Sequence, residues 1–191
     1  VPDRGKILFG GKDITNLKIP HCFCRECIGR TFQLVKPFLN MTVLENVMVG
    51  AFSCEKHTEA ARREAFRILE RIHLTHHAFS RASNLTIADR KRLELGRALA
   101  TRPKLLLLDE VMAGLNPKET QDIIDIILSI SREGVTIIMI EHVMKAVMAL
   151  SDRVVVINNG IKLVEGLPEE IVKDQRVVDA YLGGEYHAGI K

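Results

Sequence analysis

Two adjacent carboxylates close the run Leu105-Leu106-Leu107-Leu108-Asp109-Glu110. A short apolar run set off by Pro103 reads as a strand buried on both faces, as in a parallel sheet. Ionised carboxylates are too costly to bury unpaired, so they should emerge at the strand's C-terminal end. In open α/β sheets that edge is where ligands bind. One acid holding a magnesium ion beside phosphates, and a second orienting a water, is the chemistry of nucleotide hydrolysis. A second apolar run, residues 135–140, ends in Glu141-His142. If the two strands are neighbours, a carboxylate pair and a histidine converge on one edge and supply an acid, a base and a donor.

The elements that must position these groups follow from the pattern. Residues 5–13 read as a short strand and a Gly10-Gly11 turn. Residues 14–41 show no sustained period and carry Pro20 and Pro37, so they read as loop with a short helix. Thr42-x-x-Glu45 is a capping-box pattern opening a helix to about Gly50. Residues 58–72 place Ala61, Ala65, Ile68, Leu69 and Ile72 on one helical face. A third helix should begin near Thr86 and run to about Thr101. Three helices with no strand between them predict a helical lobe over residues 42–102, set into an α/β core made of residues 1–41 and 103–165.

Beyond the strand at 105–108, the turn Gly114-Leu115-Asn116-Pro117 leads to a helix carrying Ile123, Ile126, Ile127 and Ile130. The strand at 135–140, a helix opened by Glu141-His142, a strand at 153–158 and a hairpin at Asn158-Asn159-Gly160 come next. The alternation predicts right-handed parallel crossovers. Residues 166–191 should hold one or two short helices and a loose tail.

With 191 residues, 47% of them hydrophobic, the chain can bury a substantial core. A net charge of +3 is too mild to argue for nucleic acid, and none is expected as a partner. Arg90-Lys91-Arg92, with Glu94 after it, reads as a solvated helix face. No run approaches the roughly 18 apolar residues needed to span a bilayer, and the first residues resemble no signal peptide, so a soluble, cytoplasmic chain is expected. The four cysteines do not form a secreted disulfide pattern. His21, Cys22, Cys24 and Cys27 form a soft-metal set, but the tight Cys-x-Cys spacing favours reduced, partly buried thiols. His73, His76 and His77 read as surface histidines.

The motifs now carry a family resemblance. Residues 105–110 resemble the Walker B strand of ATP-binding-cassette (ABC) ATPases, and Ala113-Gly114-Leu115-Asn116-Pro117 resembles their D-loop. Ile140-Glu141-His142 is similar to the switch-histidine strand, and Thr31-Phe32-Gln33 before Lys36-Pro37-Phe38 to the Q-loop. Gly29-Arg30-Thr31-Phe32-Gln33, the segment from Asp109 to Leu115 and the closing Ala180-Tyr181-Leu182-Gly183 look like the ATP-binding subunits of branched-chain amino acid importers.

The resemblance implies a P-loop NTPase-like, mostly parallel sheet with an inserted helical lobe. It implies ATP and Mg2+ as cofactors, a second ATP-binding subunit in a homo- or heterodimer, and transmembrane permease subunits on the inner face of the cell membrane. Asp109 would hold magnesium through its water shell, Glu110 would orient the attacking water, and Gln33 would sense both magnesium and nucleotide. His142 would contact the γ-phosphate, and Asn116 lies in the D-loop match. The signature segment departs from the family's Leu-Ser-Gly-Gly-Gln, being Leu85-Thr86-Ile87-Ala88-Asp89. Thr86 keeps the hydroxyl and pairs with Asp89 as a capping box. Ile87 and Ala88 add β-carbons where a partner's nucleotide must approach.

No G-x-x-x-x-G-K-[ST] run, whose amides cradle phosphates, occurs in the sequence. In the family it lies upstream of the segment matching residues 1–9. An N-terminally truncated ATPase subunit without the Walker A strand is therefore expected, with part of its sheet uncovered. The alternative is a non-hydrolysing interaction or regulatory protein derived from the same cassette. A soluble cassette of DNA repair or translation is disfavoured, because no long coiled-coil insertion or basic linker is present.

Overall fold

The computed structural model describes residues 2–17, 27–32 and 35–181. The chain divides into two compact units, Val1–Ile140 and Glu141–Lys191. The first opens on an antiparallel hairpin, β1 (Leu8–Phe9) and β2 (Lys12–Asp13). Gly10 and Gly11 form its turn with φ of +56° and +78°, the double positive φ that a two-residue hairpin needs.

Its larger sheet is parallel, with β3 (Ile28–Arg30), β4 (Leu105–Asp109) and β5 (Thr136–Ile140) in that spatial order. β4 lies in the middle, pairing Leu107 with Arg30 on one side and Asp109 with Ile140 on the other. β3 falls inside the segment expected to be loop. Three residues are too few to show a period, and it is the register against β4 that makes them a strand. Residues 18–26 of that segment lie outside the described residues.

The helices expected between residues 42 and 102 are present. In α1 (Val43–Ala51) the Thr42 hydroxyl accepts the Glu45 N–H at 3.1 Å, and the Thr42 N–H donates to Glu45 Oε2 at 2.7 Å. α2 (Thr58–Arg71) and the residue after it bury Ala61, Ala65, Ile68, Leu69 and Ile72 almost completely. α3 (Ile87–Leu99) is capped by Thr86, whose hydroxyl accepts the Asp89 N–H at 3.1 Å. Here the box closes differently, because the Asp89 carboxylate accepts the Thr86 hydroxyl itself at 2.8 Å. Asn116 caps α4 (Pro117–Arg132), in which Ile123, Ile126, Ile127 and Ile130 are buried together with Ile124.

Three expectations need correction. β4 is not buried on both faces: Leu106 and Leu108 are enclosed, whereas Leu105 and Leu107 are half-buried. On that open face the neighbouring Ile138 and Ile140 are 56% and 63% exposed, so one side of the sheet stands apolar and uncovered. Arg90-Lys91-Arg92 is not a solvated face either. Lys91 is buried and Arg90 and Arg92 half-buried, because α3 turns the phase of Ala88, Lys91 and Leu95 inward.

The third correction concerns the second unit. Glu141 and His142 precede α5 (Met144–Leu150) rather than opening it, since the cap is Val143. Within this unit β6 (Val154–Asn158) pairs antiparallel with β7 (Ile161–Gly166), as the expected hairpin requires. Asn159 and Gly160, at φ +48° and +78°, reverse the chain between them in two residues. α6 (Pro168–Ile171) and α7 (Gln175–Tyr181) complete the described chain. Among the described residues no helix is long and apolar enough to cross a membrane.

The packing of α1 on α3 is close at Gly50. A β-carbon there would run into the Arg97 carbonyl oxygen and stand 3.0 Å from Ala100 Cβ. Gly50→Ala is expected to destabilise by about 1–3 kcal/mol despite alanine's better helix propensity. A denaturant midpoint equal to or above the parent's would contradict this close contact.

Candidate functional site

The carboxylate pair sits at the C-terminal end of β4, as the apolar run requires. Asp109 is the last strand residue and Glu110 the first beyond it, both half-buried. Glu110 takes a left-handed backbone, φ +46°, which is uncommon for a residue with a β-carbon. Its N–H donates to the Ile140 carbonyl at 2.9 Å, so the bonding of β4 to β5 continues one residue past the strand. Its own carbonyl accepts the Ala113 N–H at 3.3 Å, closing a turn, and Lys91 Nζ also at 3.3 Å.

β3 supports the same end from the other side. Thr31 is 1% exposed; its N–H donates to the Leu107 carbonyl at 2.9 Å and its hydroxyl accepts the Asp109 N–H at 3.3 Å. Arg30 reaches Asp109 Oδ2 at 3.3 Å while lying 5.1 Å from the centre of the Phe32 ring. That ion pair is partly exposed on both sides and contributes little to stability. Thr31, Phe32, Val35, Lys91, Glu94 and Val111 line a small pocket beside the turn. Burial raises the Glu94 carboxyl above the ordinary glutamate value, against the opposing pull of Arg97 at 3.0 Å.

The structure brings some of the sequence-derived residues together. Asp109 and Glu110 are adjacent, and Lys91 ties α3, the helix capped by Thr86, to Glu110. Thr86, Ile87, Ala88 and Asp89 form the first turn of α3, with Ile87 68% exposed and Ala88 buried. Asn116 uses its side-chain oxygen to cap α4, accepting the N–H groups of Lys118 and Glu119 at 3.0 Å each. His142 belongs to the second unit, two residues past Ile140. Gln33, His21, Cys22 and Cys24 lie outside the described residues, whereas Cys27, just before β3, is half-buried. Among the described residues no three His, Cys, Asp or Glu side chains cluster as metal ligands.

Sequence reasoning missed Thr31 and Lys91 as supports of the carboxylates. Lys91 had a readable signal, since it shares the helical phase of Ala88, Leu95 and Ala98.

The fold is that of an ATP-binding cassette. A solved ATP-binding cassette of an ABC transporter, in its ADP conformation, superposes with a TM-score of 0.82 at 33% identity, covering 95% of this chain and 78% of that one. The profile described as ABC transporter matches residues 1–113, and one described as branched-chain amino acid ATP-binding cassette transporter matches residues 162–187. The chain belongs to the ABC transporter family. It is 45% identical over 175 residues to the high-affinity branched-chain amino acid transport ATP-binding protein LivG of Salmonella typhimurium, covering 83% of this chain and 69% of that protein. It is 39% identical over 198 residues to the corresponding protein BraF of Pseudomonas aeruginosa, with coverage of 95% and 77%.

The Thr31 hydroxyl is the group that satisfies the Asp109 N–H. Thr31→Val, which keeps the shape and removes the acceptor, is expected to cost about 1–3 kcal/mol. Equal urea midpoints for variant and parent would show that this bond does not hold the strand end.

Proposed function

We propose that this chain is an ATP-binding subunit that energises a membrane importer of branched-chain or similar hydrophobic amino acids. The observation that carries the reading is the carboxylate pair at the end of the central parallel strand, held by β3, β5 and Lys91. The LivG and BraF relatives support the substrate class. In this reading the subunit dimerises with a second ATP-binding subunit. It docks on permease subunits at the inner face of the membrane, through the lobe around Gln33.

The roles follow from chemistry. Asp109 offers a half-buried hard oxygen donor, which suits magnesium held through its waters. Magnesium would neutralise charge on the β- and γ-phosphates. Glu110 orients the attacking water and accepts its proton. His142 donates to the γ-phosphate oxygens, where charge develops. The N-terminus of α3, with Thr86 as its cap, faces the ATP held by the partner subunit, and Asn116 lies at the same dimer surface.

The sequence offers no G-x-x-x-x-G-K-[ST] run to grip the phosphates, so the 191-residue chain alone is expected to bind ATP negligibly. Calorimetry on the folded chain tests this, and micromolar affinity would refute it. A second reading, a non-hydrolysing interaction or regulatory protein, draws on Ile87 and Ala88 in the signature segment. The encoding DNA separates the two: an in-frame phosphate-binding run ahead of Val1 supports the ATPase, and a start codon with its ribosome site there supports the other. In an assembled transporter Thr86→Ala is expected to slow ATP hydrolysis. Rates equal to the parent's would remove the signature segment from the mechanism.

A further inference from the structure

Glu110 carries its carboxylate on a backbone that is costly for any residue with a β-carbon, and such a conformation persists only where the surroundings over-determine it. Two of the bonds that do so are backbone bonds, from the Glu110 N–H to Ile140 and from the Ala113 N–H to the Glu110 carbonyl. Another comes from a side chain of a different element. Lys91, 8% exposed in the second turn of α3, reaches the Glu110 carbonyl with its ammonium at 3.3 Å. A buried ammonium needs a strong acceptor, and a hydrogen bond from a charged donor is stronger than one between neutral groups.

α3 is well placed to transmit position. Its first turn is the signature segment, Lys91 follows one turn later, and Arg97 near its far end donates to the Lys36 carbonyl at 3.1 Å. The Arg97 guanidinium also lies 4.8 Å from the centre of the Phe38 ring. One rigid helix therefore touches the turn that carries Glu110 and the loop that follows Gln33.

We propose that Lys91 is a positioning residue for Glu110: its ammonium holds the Glu110 peptide in the left-handed conformation and sets the carboxylate's place relative to α3. The proposal rests on the reading of Glu110 as the water-orienting base. Its consequence is that a shift of α3 moves that carboxylate directly, through a side chain, without passing through the sheet. A lysine serving only to fill the core would leave the local backbone of Glu110 unaffected by its charge.

The test is NMR on the isotopically labelled full chain, comparing the parent with Lys91→Met, Lys91→Gln and Lys91→Arg. The strong intraresidue HN–Hα cross-peak that marks positive φ at Glu110 is expected in the parent and in Lys91→Arg, and weakened in Lys91→Met and Lys91→Gln. Amide exchange at Glu110 and Ala113 should accelerate about tenfold or more in the Met and Gln variants, with Leu106 and Leu108 unchanged. Persistence of the cross-peak and of slow exchange at Glu110 in Lys91→Met would overturn the proposal. So would a loss of protection shared equally by Leu106 and Leu108 in both variants, because the lysine would then serve the whole core. No nucleotide is needed, so this result is read separately from the ATP measurements that test the ATPase reading.

Discussion

An apolar strand can be buried, but the ionised carboxylates at its end cannot, and this constraint organises the first unit. Leu106 and Leu108 are enclosed and fix β4 between β3 and β5. Asp109 and Glu110 then fall where the chain must leave the sheet. Their backbone is tied down by four bonds: Thr31 takes the Asp109 N–H, Ile140 the Glu110 N–H, and Lys91 and Ala113 share the Glu110 carbonyl. Fixed backbone with half-exposed side chains is what a metal-and-water site requires, because the charges are aimed while remaining open to a ligand.

The helices of residues 42–102 meet the Glu110 turn through α3. Its N-terminal turn holds Thr86 to Asp89, its middle holds Lys91, and its later turns hold Glu94 and Arg97. The burial that raises the Glu94 carboxyl and the ion pair with Arg97 act in opposite directions. As pH rises from the ordinary glutamate value through the raised folded one, ionising Glu94 therefore lowers stability. The close approach at Gly50 keeps α1 against α3, so the lobe holds α3 from one side and the Glu110 turn holds it from another.

Much of this was legible in the sequence, for local reasons. The caps at Thr42 and Thr86, the apolar stripe from Ala61 to Ile72, the β4 run and the Asn159-Gly160 turn all depend on neighbours a few residues apart. What was not legible depends on distant partners. Ile28–Arg30 becomes a strand only through its register with β4. The burial of Lys91 follows from what α3 packs against, although its helical phase pointed inward. The half-exposed face of β4 could not be read from four leucines, since such a run is equally compatible with one covered face or two. Of the candidate site, Asp109 and Glu110 were found from residue type alone. His142 was also placed by residue type, at the end of a second apolar strand, whereas Gln33 and Asn116 entered through the family's motifs.

In the proposed reading Glu110 orients the water that attacks ATP. The most direct test of that role is ATP turnover by the assembled transporter, expressed from the complete reading frame, with Glu110→Gln in place of the parent. A fall in turnover of about a hundredfold or more, with nucleotide binding retained, is expected. Turnover equal to the parent's would contradict it.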